Sequence, residues 1–486
     1  MGKIYVISIG GSGSRVLRSL SMLLAGGMSV GDNTIVPVII DTDTKNGNYL
    51  ETKEILEQYN LIRNELFDDN PASTKNSRCQ YFRAKIENIY PIVVDGQGLG
   101  TLEDVIDKKS MGDSLDSLRE NVDLLFSDEN MAMPLQYGFI GNPNVGTVVL
   151  NYLFENNSQF KNFVTSIASD DRVILISSIF GGTGAAGFPL LANKLKTARP
   201  GLTIGSITLI PYYSLSEDAE NVDNIDNAKF KVSSNNFDSK MNAALSYYEK
   251  FVNDQMNVFY YAGDSVAKST YPNCLGGRGQ CNPAHIVELM AALSIIDFSA
   301  FQPVGAETVY KSTIFDQPAT EVNLNTIDPV HTEMKQALIR LWMLYLYINQ
   351  YVSIDLANRP VYIRKCAVGS AELDINVINT GTGNNLKEYL QRFKKWSTEL
   401  SDSGHLYHAR QFQFVQLNAS PEPDKIHTCF LGINVQTKKN GEVKPTNFRN
   451  KMADASSNIK GATPLGKLIG CVSVASDAVM RESIIF

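Results

Sequence analysis

Between a strand-like run, Val173 to Ser177, and a helical segment lies the octapeptide Phe180-Gly181-Gly182-Thr183-Gly184-Ala185-Ala186-Gly187. A strand that ends on so many small residues lets the backbone approach a ligand closely, with N–H groups turned inward and no side chain to keep an oxygen away. Thr183 adds a hydroxyl donor. The helix that follows contributes its own unpaired N–H groups and the positive end of its dipole, so the segment suits a phosphate. It is not a Walker loop, because no Gly-Lys-Ser/Thr follows and the nearest lysine is Lys194.

A related unit opens the chain. Residues 3 to 9 form an apolar, β-branched run; Gly10-Gly11-Ser12-Gly13-Ser14-Arg15 breaks it; Val16, Leu17, Leu20, Leu23 and Leu24 then recur at helical spacing. A second buried strand, Ile35 to Ile40, ends on Asp41 and completes a β-α-β unit, which implies a parallel sheet. The first turn is no Rossmann fingerprint: counted from Gly11, the third glycine position holds Val16, and Asp41 lies about 30 rather than 20 residues on.

Residues 45 to 136 are polar and charged and read as an insertion with some helix of its own. The α/β pattern returns at Tyr137 to Gly146. The helix Thr147 to Ile167, the strand Leu202 to Ile210, the helix Phe237 to Val252 and the strand Asn257 to Tyr261 follow. A long apolar helix is expected from Pro283 to about Phe298 and another over Val330 to Ile354. The remainder carries β-rich stretches, Phe412 to Leu417 and Ile426 to Val435, and reads as a separate α+β domain. The expected organisation is therefore an α/β domain over 1–281 with the insertion at about 45–136, a central helix over 282–300, and a C-terminal α+β domain over 301–486.

Length agrees, since 486 residues exceed the roughly 250 to 300 at which one core stops growing. A net charge of −7 argues against a chain built to coat nucleic acid or an anionic membrane. The six cysteines include no Cys-x-x-Cys pair, so neither a zinc ribbon nor a disulfide framework is written, and no metal-ligand cluster is expected. Met-Gly-Lys runs straight into the first strand without a signal h-region, and no apolar run approaches the roughly 18 residues of a membrane span. A cytoplasmic location is expected.

The glycine-rich octapeptide resembles the signature of the tubulin/FtsZ superfamily, Gly-Gly-Gly-Thr-Gly-Ser/Thr-Gly after a parallel strand, with Phe180 in place of the first glycine and Ala186 in place of the last. Further motifs resemble that family in the same order. The first turn is similar to Val-Gly-Gly-x-Gly-x-Asn, with Arg15 at the Asn position; Asp41-Thr42-Asp43 stands at Asn-Thr-Asp; and Gly141-Asn142-Pro143-Asn144-Val145-Gly146 looks like Ala-Asn-Pro-Glu-Val-Gly. The resemblance implies a tubulin-like GTP-binding parallel sheet domain. Gly10, Gly11, Ser12, Gly13 and Ser14 would hold the α- and β-phosphates together with Gly181, Gly182, Thr183, Gly184 and Ala185. Asp41 would stand beside them, and Asn142, Pro143 and Gly146 would approach the γ-phosphate.

The same resemblance nominates Asn242, within Met241-Asn242-Ala243-Ala244-Leu245-Ser246, and Asn282 as readers of the guanine edge, with Glu217 at the ribose. Mg²⁺ with GTP or GDP is the implied ligand, and the chain itself the implied partner in head-to-tail filaments, with room for an adaptor protein. In the family an acidic loop of one subunit completes the neighbour's site. Here the corresponding stretch offers Asp328 and then Glu333, with Pro329 and His331 interposed, and its spacing departs from the pattern. A GTP-binding switch or scaffold that does not polymerise, with a degenerate catalytic loop, is the alternative.

Overall fold

The computed structural model of the chain describes residues 2–67, 78–87, 90–93, 98–111, 116–219, 232–266, 269–274, 276–303, 305, 307–316, 321–323, 332–401, 411–413 and 445–483. The strands are β1 (Lys3–Ile9), β2 (Thr34–Asp41), β3 (Tyr90–Val93), β4 (Arg172–Ser178), β5 (Thr203–Leu209), β6 (Tyr213–Ala219), β7 (Val258–Asp264), β8 (Ser269–Asn273), β9 (Val309–Phe315), β10 (Glu321–Asn323) and β11 (Gln411–Gln413). The principal helices are α1 (Gly10–Ala25), α2 (Gly47–Leu66), α3 (Pro143–Asn156), α4 (Thr183–Ala198), α5 (Phe237–Phe251), α6 (Ile286–Ala300), α7 (Thr332–Leu346), α8 (Gly381–Ser401), α9 (Pro445–Ser456) and α10 (Pro464–Ser483). Among the described residues no helix is long and apolar enough to cross a membrane.

Seven strands form one sheet in the order β3-β2-β1-β4-β5-β7-β9, every neighbouring pair parallel. Strands covered on both faces should be continuous apolar runs, and β1 and β4 are buried at every position except their first residues. From β1 the chain winds outward to β2 and β3, then returns across β1 to add β4, β5, β7 and β9 on the other side. That reversal puts a crevice at the carboxyl ends of β1 and β4, where open α/β sheets bind ligands. Both glycine turns sit there.

All of α1 except Gly11 is buried, because the helix is enclosed between the sheet, α2, α6 and α7. α6 packs against β5, β7 and α1 and is apolar nearly all round, as a helix buried over most of its length must be.

Several boundaries differ from the sequence reading. Residues 45–136 are not set apart from the sheet: α2 packs on α1, and β3 pairs with β2 as the edge strand. The helix expected over 147–167 is broken at Asn157, whose side chain accepts from the Phe160 amide and starts a new helix, Ser158–Ser166. The helix expected over 330–354 passes through a π-turn at Tyr347–Tyr351.

The boundary drawn at 301 does not separate two cores. β9 belongs to the main sheet, and α7, α8 and α10 cover α1 and α2 in a shared apolar interior. Trp396 Nε1 donates to Ser19 Oγ at 3.2 Å, and Arg340 Nη1 donates to the Gly26 carbonyl at 2.6 Å. Among the described residues of this region the strands beyond β9 are the parallel pair β10–β11; Leu417 and Ile426 to Val435 lie outside the described residues.

The junction of α1 with α7 leaves no room at Gly26, where a Cβ would lie 2.7 Å from the Ala337 carbonyl carbon. Gly26→Ala should therefore lower stability by about 1–3 kcal/mol through overpacking. Gly201→Ala, whose Cβ would meet nothing within 4 Å, should leave the urea midpoint unchanged.

Candidate functional site

The two glycine turns touch. A Cβ on Gly10 would lie 3.4 Å from Thr183 Cβ, and one on Gly182 would lie 3.1 Å from the Gly141 nitrogen and 3.3 Å from the Asn142 nitrogen. The first turn, the second turn and the loop at 137–142 therefore pack against one another around a cavity. Gly10, Gly11, Ser12, Asp41, Gly181, Gly182, Thr183 and Asn282 all line it. Gly10 has φ +77°, and Gly138 and Gly141 in the covering loop have φ +76° and +73°, backbone that residues with a Cβ rarely adopt.

The helices begin at the cavity itself. α1 starts at Gly10 and α4 at Thr183, neither has an acidic residue in its first turn, and neither is capped by a side chain. Two sets of unpaired N–H groups and two positive dipole ends thus converge without internal competition, an arrangement that favours an anion.

Other nominated residues stand behind this lining. A Cβ on Gly13 would lie 3.1 Å from the Ile176 carbonyl and Ser8 Cα, so that glycine seats α1 on the sheet. Ser14 is fully buried, with Oγ donating to the Gly10 carbonyl at 3.4 Å. A Cβ on Gly184 would lie 2.9 Å from the Ser178 backbone. Ala185, Asn142 and Pro143 do not line this cavity but a second one, between α3, α4 and α5. Gly146 packs α3 against Phe139 and Ala186. The covering loop thus faces the cavity with Tyr137 to Gly141, one step earlier than the motif indicated.

Asn242 is exposed on α5 and lines neither cavity, so it is not placed to read a ligand at the glycine turns. Helical geometry explains this: α5 turns Tyr248 inward and Asn242 to solvent. Asn282 lies in the lining and is not a helix cap. The central helix begins at Ile286 under a capping box of His285 and Glu288, while the Asn282 amide donates to Asn48 Oδ1 at 2.9 Å. Glu217 falls on β6 with its side chain outside the described residues, as is Asp328 altogether. Glu333 is exposed in the first turn of α7, away from the cavity.

Three groups escaped the sequence reading. Arg15 is the one cation in the lining among the described residues, and its Nε donates to Glu288 Oε1 on α6 at 2.6 Å. Its Nη2 donates to Tyr212 Oη at 2.9 Å, and Tyr212 Oη donates to Glu288 Oε1 at 2.7 Å. Burial opposes the Arg15 charge, and Glu288 together with the surrounding tyrosines more than restores it. The second group is aromatic: Phe180, in the place of a signature glycine, packs 4.7 Å from Phe237 and 5.3 Å from Tyr213, and all three line the cavity. Spacing along the sequence gives no sign of such a cluster, because its members come from three separate elements.

The third is Asp43, beside the nominated Asp41. Asp43 Oδ2 accepts from the Gly277 amide at 2.6 Å, tying the turn after β2 to the loop before α6. Asp41 Oδ1 accepts from the Asp43 amide at 3.1 Å. Burial pushes the Asp41 carboxyl up to about 7, helped by the Asp43 carboxylate and opposed by that amide. Among the described residues no three metal-ligating side chains gather, so these two carboxylates would share a cation with a ligand's own oxygens rather than cage one.

The raised Asp41 makes stability depend on pH with a definite sign. Between about pH 4 and 7 the folded chain keeps a proton that the unfolded chain has lost, so stability falls as pH rises, and the loss levels off above 7. Asp41→Asn should match the wild type near pH 4 and exceed it by pH 8, the gap growing by at most about 1.4 kcal/mol per pH unit in urea titrations.

No protein-family model and no curated protein matches the chain. Among solved structures it is similar to CetZ from Methanosaeta thermophila, at 11% identity over 61% of this chain and 54% of that one with a TM-score of 0.29. It is also similar to a point mutant of FtsZ from M. jannaschii, at 13% identity over 54% and 46% with a TM-score of 0.25. The chain spans about half the length of these structures. Independently of those overlaps, the parallel sheet, whose first and fourth strands each run into a glycine turn and whose two turns meet at one cavity under a third loop, has the arrangement expected from the sequence motifs.

Proposed function

We propose that the chain binds GTP at this cavity, assembles head to tail and hydrolyses GTP to GDP and phosphate at a site shared between subunits. The observation that carries the reading is the contact of two glycine turns with two uncapped helix N-termini on one cavity. That lining accommodates phosphate oxygens closely, whereas the side bearing Tyr213, Leu215, Phe237 and Pro272 suits a flat base and ribose. Asn282 is the amide left to read a guanine edge.

The lining's charge also fits. Arg15 is neutralised by Glu288, which leaves Asp41 and Asp43 facing an incoming polyphosphate. Mg²⁺ between those carboxylates and the phosphates would relieve the repulsion and draw charge from the terminal phosphate. The glycine turns would hold the phosphates still, and the 137–141 loop would keep water from the inner ones.

Support for assembly comes from where Glu333 lies. Arg340 on α7 bonds the Gly26 carbonyl at the far end of α1, whose 16 residues span about 24 Å. Glu333, exposed near that end, is remote from its own cavity and could serve only another copy's. Asp328 remains a candidate beside it.

In equilibrium titrations with Mg²⁺, GTP and GDP should bind and ATP compete poorly. Gly182→Val, whose side chain would press on Gly141, Asn142 and Phe139, should abolish GTP binding in a folded protein; unchanged affinity would mean the turn is only structural. Glu333→Ala should keep GTP binding yet lower turnover about 10²- to 10⁴-fold. Wild-type activity per subunit should rise with protein concentration, and brisk turnover independent of concentration would instead favour a switch that does not polymerise.

A further inference from the structure

Among the described residues that line the cavity at the glycine turns, Arg15 is the one side chain that donates hydrogen bonds and cannot accept them. The hydroxyls and amides around it do both, and ionised Asp43 only accepts. That difference discriminates between purines. The base edge that carries N7 and the 6-substituent offers two acceptors in guanine, N7 and O6, but an acceptor beside an amino donor in adenine. An asparagine amide such as that of Asn282 can turn over and serve either base, whereas a guanidinium has nothing with which to accept from the adenine amine.

The guanidinium is held from one side. Nε donates to Glu288 Oε1 at 2.6 Å, and Nη2 donates to Tyr212 Oη at 2.9 Å and, more weakly, to Ser12 Oγ at 3.5 Å. Nη1 is the nitrogen left over, and it is not sealed in: Arg15 lines the cavity, with the Tyr213 hydroxyl beside it. This is the aromatic side of the lining. The Tyr212 ring lies 5.0 Å from that of Tyr213, which in turn lies 5.3 Å from Phe180 and 5.9 Å from Phe237. Tyr213, Phe180 and Phe237 all line the cavity and offer apolar surface to a flat ring. Phosphate has less call on Arg15, because the glycine turns supply backbone N–H groups and Glu288 already cancels the charge that an anion would seek. A compensated guanidinium keeps its N–H donors, which suit neutral acceptors.

We propose that Arg15 is the residue that selects guanine over adenine, with its Nη1 and Nη2 hydrogens donating to O6 and N7 while Glu288 and Tyr212 hold the guanidinium from behind. The proposal rests on GTP binding at this cavity, and it adds which edge of the base is read and by which side chain. Releasing the long bond to Ser12 frees the second Nη2 hydrogen for that edge. Asn242, which the motif nominated for base reading, is exposed on α5 and outside the lining. Asn282 stays available for the opposite edge of the ring.

Equilibrium titrations of the full wild-type chain with Mg²⁺ and GTP, 7-deaza-GTP, ITP or ATP separate the contacts. 7-deaza-GTP lacks the N7 acceptor and should bind about tenfold more weakly than GTP. ITP and ATP both lack the 2-amine, and ITP, which keeps O6 and N7, should bind about tenfold or more tightly than ATP. Arg15→Lys keeps a charge opposite Glu288 without the planar fork, so in a folded variant the ratio of GTP to 7-deaza-GTP affinity should fall to near one. An arginine that served structure alone would on replacement weaken every nucleotide alike and leave that ratio where it was. Should the variant fail to fold, the wild-type comparison settles the matter by itself. Equal affinity for GTP and 7-deaza-GTP, equal affinity for ITP and ATP, or an unchanged ratio in Arg15→Lys would overturn the proposal and leave GTP binding standing. Failure of all these nucleotides to bind would overturn the GTP-binding reading and this proposal with it.

Discussion

Arg15 and Glu288 meet at 2.6 Å with side chains 2% and 0% exposed, and through them the helix that starts at the first glycine turn is joined to the central helix. Taking two charges out of water is costly, and such a pair holds only when its remaining hydrogen-bonding groups are satisfied. Here they are. Glu288 Oε1 accepts from both Arg15 and Tyr212, and its Oε2 accepts from the His285 amide as the second half of the helix cap. Tyr212 follows β5, so one cluster fixes α1, α6 and the end of β5 relative to one another. Breaking such a pair from one side typically costs about 3–5 kcal/mol, much of it the charge left behind.

One helical turn further along α1, Arg18 continues the joint outward. It pairs with Glu51 on α2 at 2.5 Å and with Glu399 on α8 at 3.5 Å, and Glu399 accepts from the Ala284 amide just ahead of α6. The loop between β8 and α6 is held from its other side by Asp43 and Asn48. The cavity lining is therefore continuous, through buried polar contacts, with the helical layer that covers α1 and α2. A ligand that draws on Asp43 or Asn282 acts on groups already tied to that layer.

The parts of this arrangement written locally were readable from the sequence. A buried strand followed by a glycine run and an apolar helical pattern specifies strand, turn and helix without outside help, and both such units stand where expected. Residues whose placement depends on a neighbouring element were not readable. Phe180 occupies a glycine position because Tyr213 and Phe237 pack against it. Asn242 matched a short motif, but the inward face of α5 is fixed by Tyr248 against Phe188, which turns the asparagine out. The separate C-terminal domain was a reading of β-rich texture; the helices beyond residue 332 instead supply the apolar cover that α1 and α2 need.

Hydrogen exchange of the full chain, with and without Mg²⁺ and GTP, tests the central claim most directly. If the two glycine turns hold a polyphosphate, backbone amides at 10–14, 138–142 and 181–184 gain protection together, because their N–H groups become donors to ligand oxygens. Protection confined to other segments, or none at these three despite measurable GTP binding, would contradict the account.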